Sequence, residues 1–137
     1  GVAGNHDMFG SSAAPSSRLA GNAHYLDGES AVMDDVNVAG IGGIVGNPRK
    51  PHRKIDEDFA AHIKRLLSNA PSILVMHDGP DDPEQGQQGS PMIRQVLERQ
   101  NSTLLIRGHE HWHEPFAEFA NGTQVLNVDC RVAILHR

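Results

Sequence analysis

The chain has 137 residues, enough for one domain with one modest core. Hydrophobic residues at 38% and charged residues at 21% exclude a largely disordered chain, and a net charge of −5 argues against a surface built for nucleic acid or anionic lipid. A single cysteine, Cys130, excludes an internal disulfide, and no apolar stretch is long enough to cross a membrane. No leader peptide is legible, which makes the cytoplasm the expected compartment, although the chain opens Gly1-Val2-Ala3 without an initiator methionine. Aromatics are only 4% of the residues, so the core is expected to rest on Val, Ile, Leu and Ala.

Gly1 to Ala3 reads as the stub of a strand running into the turn Gly4-Asn5. Residues 8 to 23 are rich in Ser, Ala and Gly and read as a surface loop. Three short apolar segments follow, His24–Leu26, Ser30–Met33 and Val36–Ile41. The turn pairs Asp27-Gly28 and Asp34-Asp35 separate them and Gly42-Gly43 ends them, the pattern of a small antiparallel meander. Residues 47 to 54 form a basic, proline-containing loop.

Ile55, Phe59, Ile63, Leu66 and Leu67 recur at the spacing of one buried helical face. The continuous apolar run Ile73–Met76 suits a strand buried on both faces, and it ends at His77. After a polar loop, Ser90-Pro91 predicts the N-cap and first residue of a second helix, with Met92, Val96 and Leu97 inward. Leu104–Ile106 is another short strand. Asn121-Gly122 joins Phe116–Phe119 to Gln124–Val128 in a hairpin, and Val132–Leu135 reads as a last strand. Alternating strands and helices followed by strands predict a layered α/β fold, taken as a single domain over residues 1–137.

Three polar motifs stand at strand-to-loop transitions: Gly4-Asn5-His6-Asp7, His77 with Asp78-Gly79-Pro80, and Gly108-His109-Glu110-His111. In α/β sheets the carboxyl ends of strands are where ligand groups gather. Imidazole nitrogens and an amide oxygen suit divalent ions such as Zn, Mn, Fe, Co or Ni. In an extended backbone His109 and His111 would share one side and Glu110 would face away. Each motif also has a plainer reading. Asn5 to Asp7 taken alone is a turn, and a lone His77 is a hydrogen-bonded structural histidine.

The remaining candidates read more simply still. His24, His52, His62 and His136 are expected at the surface, His113 in solvent, and Trp112 in packing. The basic run from Arg49 to Lys54 and the acidic residues Asp81, Asp82 and Glu84 are expected to be solvated loops.

Taken together and in order, G-N-H-D, a strand ending in His, and G-H-x-H resemble the last three motifs of the calcineurin-like metallophosphoesterases. The resemblance implies part of a layered β-sandwich flanked by helices, lacking its N-terminal strands. It implies Asn5, His77 and His109 as ligands of one divalent ion and His111 as a ligand of a second. It places His6 beside the substrate phosphate as the catalytic residue, and it gives Asp7 a supporting or turn role. The implied activity is hydrolysis of small phosphomonoesters or phosphodiesters with one or two ions.

The family's D-x-H and G-D-x-x-D motifs, which supply a bridging carboxylate and two further ligands, are absent from this chain, so the expected site is incomplete. The alternatives are a non-catalytic module that binds metal or self-associates, and a short enzyme using one ion with a different ligand set. A homo-oligomer formed through an exposed sheet edge is expected as well.

Overall fold

The computed structural model of the protein describes residues 1–7 and 23–136. The predicted surface loop at 8–23 therefore lies outside the described residues except for Ala23, which is exposed and has no regular structure.

The elements run β1 (Glu29–Met33), β2 (Val36–Ile41), β3 (Ile44–Val45), β4 (Arg53–Lys54), α1 (Asp56–Leu67), β5 (Ile73–Met76), α2 (Pro91–Glu98), β6 (Leu104–Arg107), β7 (Phe116–Glu118) and β8 (Gln124–Asn127). Six of the strands form one sheet in the order β1-β2-β5-β6-β8-β7. β2, β5, β6 and β8 are mutually parallel, and β1 and β7 pair antiparallel at the two edges. The chain is thus α/β, a mixed sheet with two helices, as the alternation of segments predicts.

Both helices pack on one face of this sheet. Phe59, Ile63, Leu66 and Leu67 from α1 and Ile93, Val96 and Leu97 from α2 join Ala39, Leu74, Leu105 and Val125 in a single core. Those four strand residues stand side by side in the sheet register, so they point the same way. Their alternates on the opposite face, Ile73, Val75, Leu104 and Ile106, are half-buried. β5 is therefore fully buried on one face only, although its apolar run suggests two. Trp112, Phe59 and Phe119 also belong to the core, whereas Phe116 on the edge strand β7 is 47% exposed.

Local chemistry explains the boundaries. α1 carries Asp56, Glu57 and Asp58 in its first turn and Lys64 and Arg65 in its last, matching the helix dipole at both ends. Ile55 is its N-cap, 41% exposed rather than on the buried face. α2 starts as Ser90-Pro91 predicts: the Ile93 N–H donates to Ser90 Oγ at 3.3 Å, and Pro91 occupies the first turn. The β1–β2 hairpin turns on Asp34 and Asp35, with φ of 47° and 66°, the left-handed pair that a two-residue hairpin requires.

Several expected strands are not formed. Gly1–Ala3 and His24–Leu26 have no strand geometry; isolated bonds tie them down, from the Leu26 N–H to the Gly1 carbonyl and from the Gly43 N–H to the Ala3 carbonyl. The meander is therefore a single hairpin whose second strand, β2, also joins the parallel sheet. Val132–Leu135 is irregular, with Val132 92% exposed. Conversely, the basic loop contains β4, which pairs parallel with β3. No helix among the described residues is long and apolar enough to cross a membrane.

Candidate metal centre

The parallel strands bring their carboxyl ends to one side of the sheet. Ile41, Met76, Arg107 and Asn127 stand in one register row. His77 and Gly108 follow directly on two of them, so two of the three motifs meet there because the sheet is parallel.

The first motif reaches the same place as a closed turn. The Asp7 N–H donates to the Gly4 carbonyl at 3.3 Å, and the Gly4 N–H donates to Asp7 Oδ2 at 2.7 Å. Asp7 thereby fixes the turn that carries Asn5 and His6. Asn5 Oδ1 lies 3.0 Å from His77 Nε2. A Cβ at Gly4 would stand 3.0 Å from His77 Cε1, so glycine here leaves room for the ring. The His77 and His109 rings have their centroids 4.9 Å apart, inclined at 55°.

Burial lowers the His77 pKa below the usual histidine range. The His109 charge lowers it further, against the opposing pull of Asp78 and Asp7. The shift favours the neutral ring, the form in which imidazole binds metal. The spacing also suits an ion. Ligands at about 2.1 Å from a metal, set at right angles, are about 3.0 Å apart, which is the Asn5–His77 separation. The same distance is a hydrogen bond when Nε2 carries its proton. Among the described residues no three His, Cys, Asp or Glu side chains converge; the gathered set is two imidazoles and an amide, of the borderline donor type that transition ions accept.

The third motif is not extended. His109 has φ of 71°, and the Glu110 N–H donates to the Gly108 carbonyl at 2.9 Å, which makes a tight bend. His109 and His111 therefore do not share a side, because a residue at positive φ breaks strand alternation. His109 turns toward His77, while His111, with its side chain 58% exposed, turns to Asp129. His111 Nδ1 lies 3.2 Å from Asp129 Oδ2, and Arg131 Nη2 lies 3.4 Å from His111 Nε2. The structure thus brings Asn5, His77 and His109 together and leaves His111 in a separate contact. His6 is exposed at the end of its turn. Glu110 does not face away: with His109 it lines a cleft of about 560 Å³ that is also bounded by Asp78, Asp81, Gln87 and Ser90.

Two residues to which the sequence assigns no role, Asp78 of the second motif and Arg107, stand beside the candidate site. Asp78 is buried; its Oδ2 accepts from the Val45 N–H at 2.9 Å and its Oδ1 from the Gly79 N–H at 2.8 Å, tying β3 to the loop after His77. Arg107 is fully buried, with Nη1 donating to the Glu110 carbonyl at 3.1 Å and the guanidinium carbon 5.1 Å from the centre of the Trp112 ring. Burial lowers the Arg107 pKa, an effect opposed by Asp78, Glu110 and Asp129. A signal for it was present, because Arg107 is two residues from the inward Leu105 and strand alternation alone turns it inward.

Trp112 packs as expected, with Nε1 donating to the Gln88 carbonyl at 2.6 Å, and His113 is exposed. The acidic loop is more ordered than a solvated run. Asp81 accepts from Arg94 at 2.7 Å, and buried Asp82 accepts from the Glu84 and Gln85 N–H groups. His52 and His62 are half-buried rather than on the surface.

Residues 1–113 match the family described as calcineurin-like phosphoesterase. No curated protein and no solved structure matches the chain.

Proposed function

Because the chain belongs to the calcineurin-like phosphoesterase family, we propose that it serves metal-dependent hydrolysis of phosphate esters, with Asn5, His77 and His109 holding one divalent ion. The observation that carries this reading is the 3.0 Å approach of Asn5 Oδ1 to His77 Nε2, with the His109 ring beside them. When bound, such ions place positive charge against phosphate oxygens and activate water for attack on phosphorus. The chain's own residues set the stage for that. Asp7 holds the turn, Asn5 and His77 offer an oxygen and a neutral nitrogen, and His109 adds a second imidazole from the next strand.

The exposed His6, one residue beyond Asn5, is the group proposed to meet the phosphate and protonate the leaving oxygen. The cleft beside His109 receives the organic part of the ester, and its Asp78, Asp81 and Glu110 carboxylates favour a neutral or cationic group there over an anionic one. His111 is proposed to face a second ion, which requires it to leave Arg131.

A second reading has a specific observation in its favour. Both His111 nitrogens already lie near protein groups, Asp129 and Arg131, which suits a module that binds one ion without turnover. Hydrolysis of chromogenic phosphate mono- and diesters with added Mn or Zn decides between the two. Metal-dependent turnover that is lost in His77→Ala and His109→Ala supports hydrolysis. Metal uptake without turnover supports the second reading, and turnover unchanged in both variants defeats the ligand assignment.

A further inference from the structure

Arg107 ends β6 beside Met76 and Asn127 and is fully buried. A guanidinium there has lost its hydration, and an apolar side chain of similar length would pack without that cost. Two of its three nitrogens, Nε and Nη2, have no hydrogen-bond partner among the described residues, so the fold tolerates their unsatisfied N–H groups to keep the bond from Nη1. That bond, from Nη1, goes to the Glu110 carbonyl, which also accepts from Asn127 Nδ2 at 2.7 Å. The doubly held carbonyl lies one residue beyond His109, whose φ of 71° persists only where the surroundings impose it.

Two further contacts of the guanidinium bear on the candidate site. Its Cζ lies over the Trp112 ring, 5.1 Å from the centroid, a cation–π placement. Gly79 lies so close that a Cβ there would fall 2.1 Å from Arg107 Nε and 2.9 Å from its Cδ. Gly79 is two residues beyond His77. One side chain therefore touches both of the loops that carry the candidate imidazole ligands.

We propose that Arg107 is a positioning residue of the candidate metal centre. Clamped between Gly79 and Trp112, it fixes the Glu110 carbonyl and so holds the bend that turns His109 to His77. The inference rests on reading those two histidines as ligands, but the geometry it explains is present without a metal. Lysine could not substitute, because its shorter chain carries a point charge with no planar fork to lie on Trp112.

The test uses Arg107→Met, Arg107→Lys and Gly79→Ala, the last displacing the guanidinium while leaving Arg107 itself unchanged. The nuclear Overhauser contact between the His77 and His109 rings is measured in metal-free protein, and Mn(II) affinity by calorimetry. A purely structural role would lower the unfolding temperature yet leave the ring contact intact in the folded protein. The expected result is a weakened ring contact in all three variants and a Kd for Mn(II) raised about 10- to 100-fold. If Arg107→Met fails to fold, the other two variants carry the same readouts. A preserved ring contact in the folded variants overturns the proposal. If the parent itself takes up no Mn(II), the metal reading fails, and the ring contact alone still decides the role of Arg107.

Discussion

The side-chain oxygen of Asn5 meets the imidazole of His77 at 3.0 Å across 72 residues of chain. Neither residue has a local reason to find the other. The Gly4–Asp7 turn and the end of β5 supply the two halves, and the sheet supplies the meeting point.

Metal uptake should therefore depend unequally on the histidines. His77→Ala and His109→Ala are expected to abolish binding of Mn or Zn, because either change leaves two protein ligands, whereas His111→Ala should reduce it only modestly. Calorimetric titration of the four proteins checks this. Equal losses in all three variants would show that His111 shares the same ion.

Stability should fall with acidity through His77. Its folded pKa lies below its unfolded value, so between the two the unfolded chain binds the proton and the folded chain does not. The stabilising contribution is complete above about pH 6.5, declines as pH drops below that value, and levels off once the folded ring also protonates. Urea midpoints from pH 8 down to about 5 should show this slope in the parent and a smaller slope in His77→Gln. Identical slopes would remove His77 as the cause.

Ser90→Ala should destabilise the fold by about 1 kcal/mol, the usual cost of losing an N-cap oxygen. The bond concerned is the one from the Ile93 N–H, and Ile93 is fully buried, so fraying there would loosen the core. Urea unfolding measures the loss. A change below a few tenths would mean that Pro91 alone sets the helix start.

Self-association should run through β1. Among the described residues this strand is a sheet edge, with Val32 70% exposed and Met33 37% exposed, and such an edge with apolar side chains recruits a second strand. Val32→Lys is expected to shift sedimentation toward monomer at high protein concentration. A parent that is already monomeric there would remove the premise.

Much of the fold was legible because its cues are local. The 3-4 spacing from Phe59 to Leu67, the Ser90-Pro91 start and the Asn121-Gly122 turn each state their structure within a few residues. β3 and β4 were not legible, since two-residue strands are decided by tertiary contacts, here the bond from the Val45 N–H to Asp78. Val132–Leu135 erred the opposite way. Its residues favour strands, but strand propensity needs a partner, and none pairs with it among the described residues.

The site divides along the same line. The family resemblance implies Asn5, His77 and His109 as a set; in the fold Asn5 and His109 each lie against His77. The placement of His111 depended on a dihedral angle: the positive φ of His109, uncommon at any residue other than glycine, breaks the alternation that the spacing suggests. The roles of Arg107 and Asp78 went unread because each acts through a backbone group, the Glu110 carbonyl and the Val45 amide, that no side-chain motif marks.

The strand order has a consequence for how the molecule is made and lost. β2 reaches β5 through α1, and β5 reaches β6 through α2, so each parallel pairing must close a long loop before its contacts form. Such pairings are slow and come late in folding. An ion held by Asn5, His77 and His109 would find no partial version of its site in a half-folded chain. It would bind only the finished sheet and stabilise it by mass action. Its kinetic effect would fall on unfolding rather than folding: the ion would act as a latch that slows the opening of the sheet without hastening its assembly.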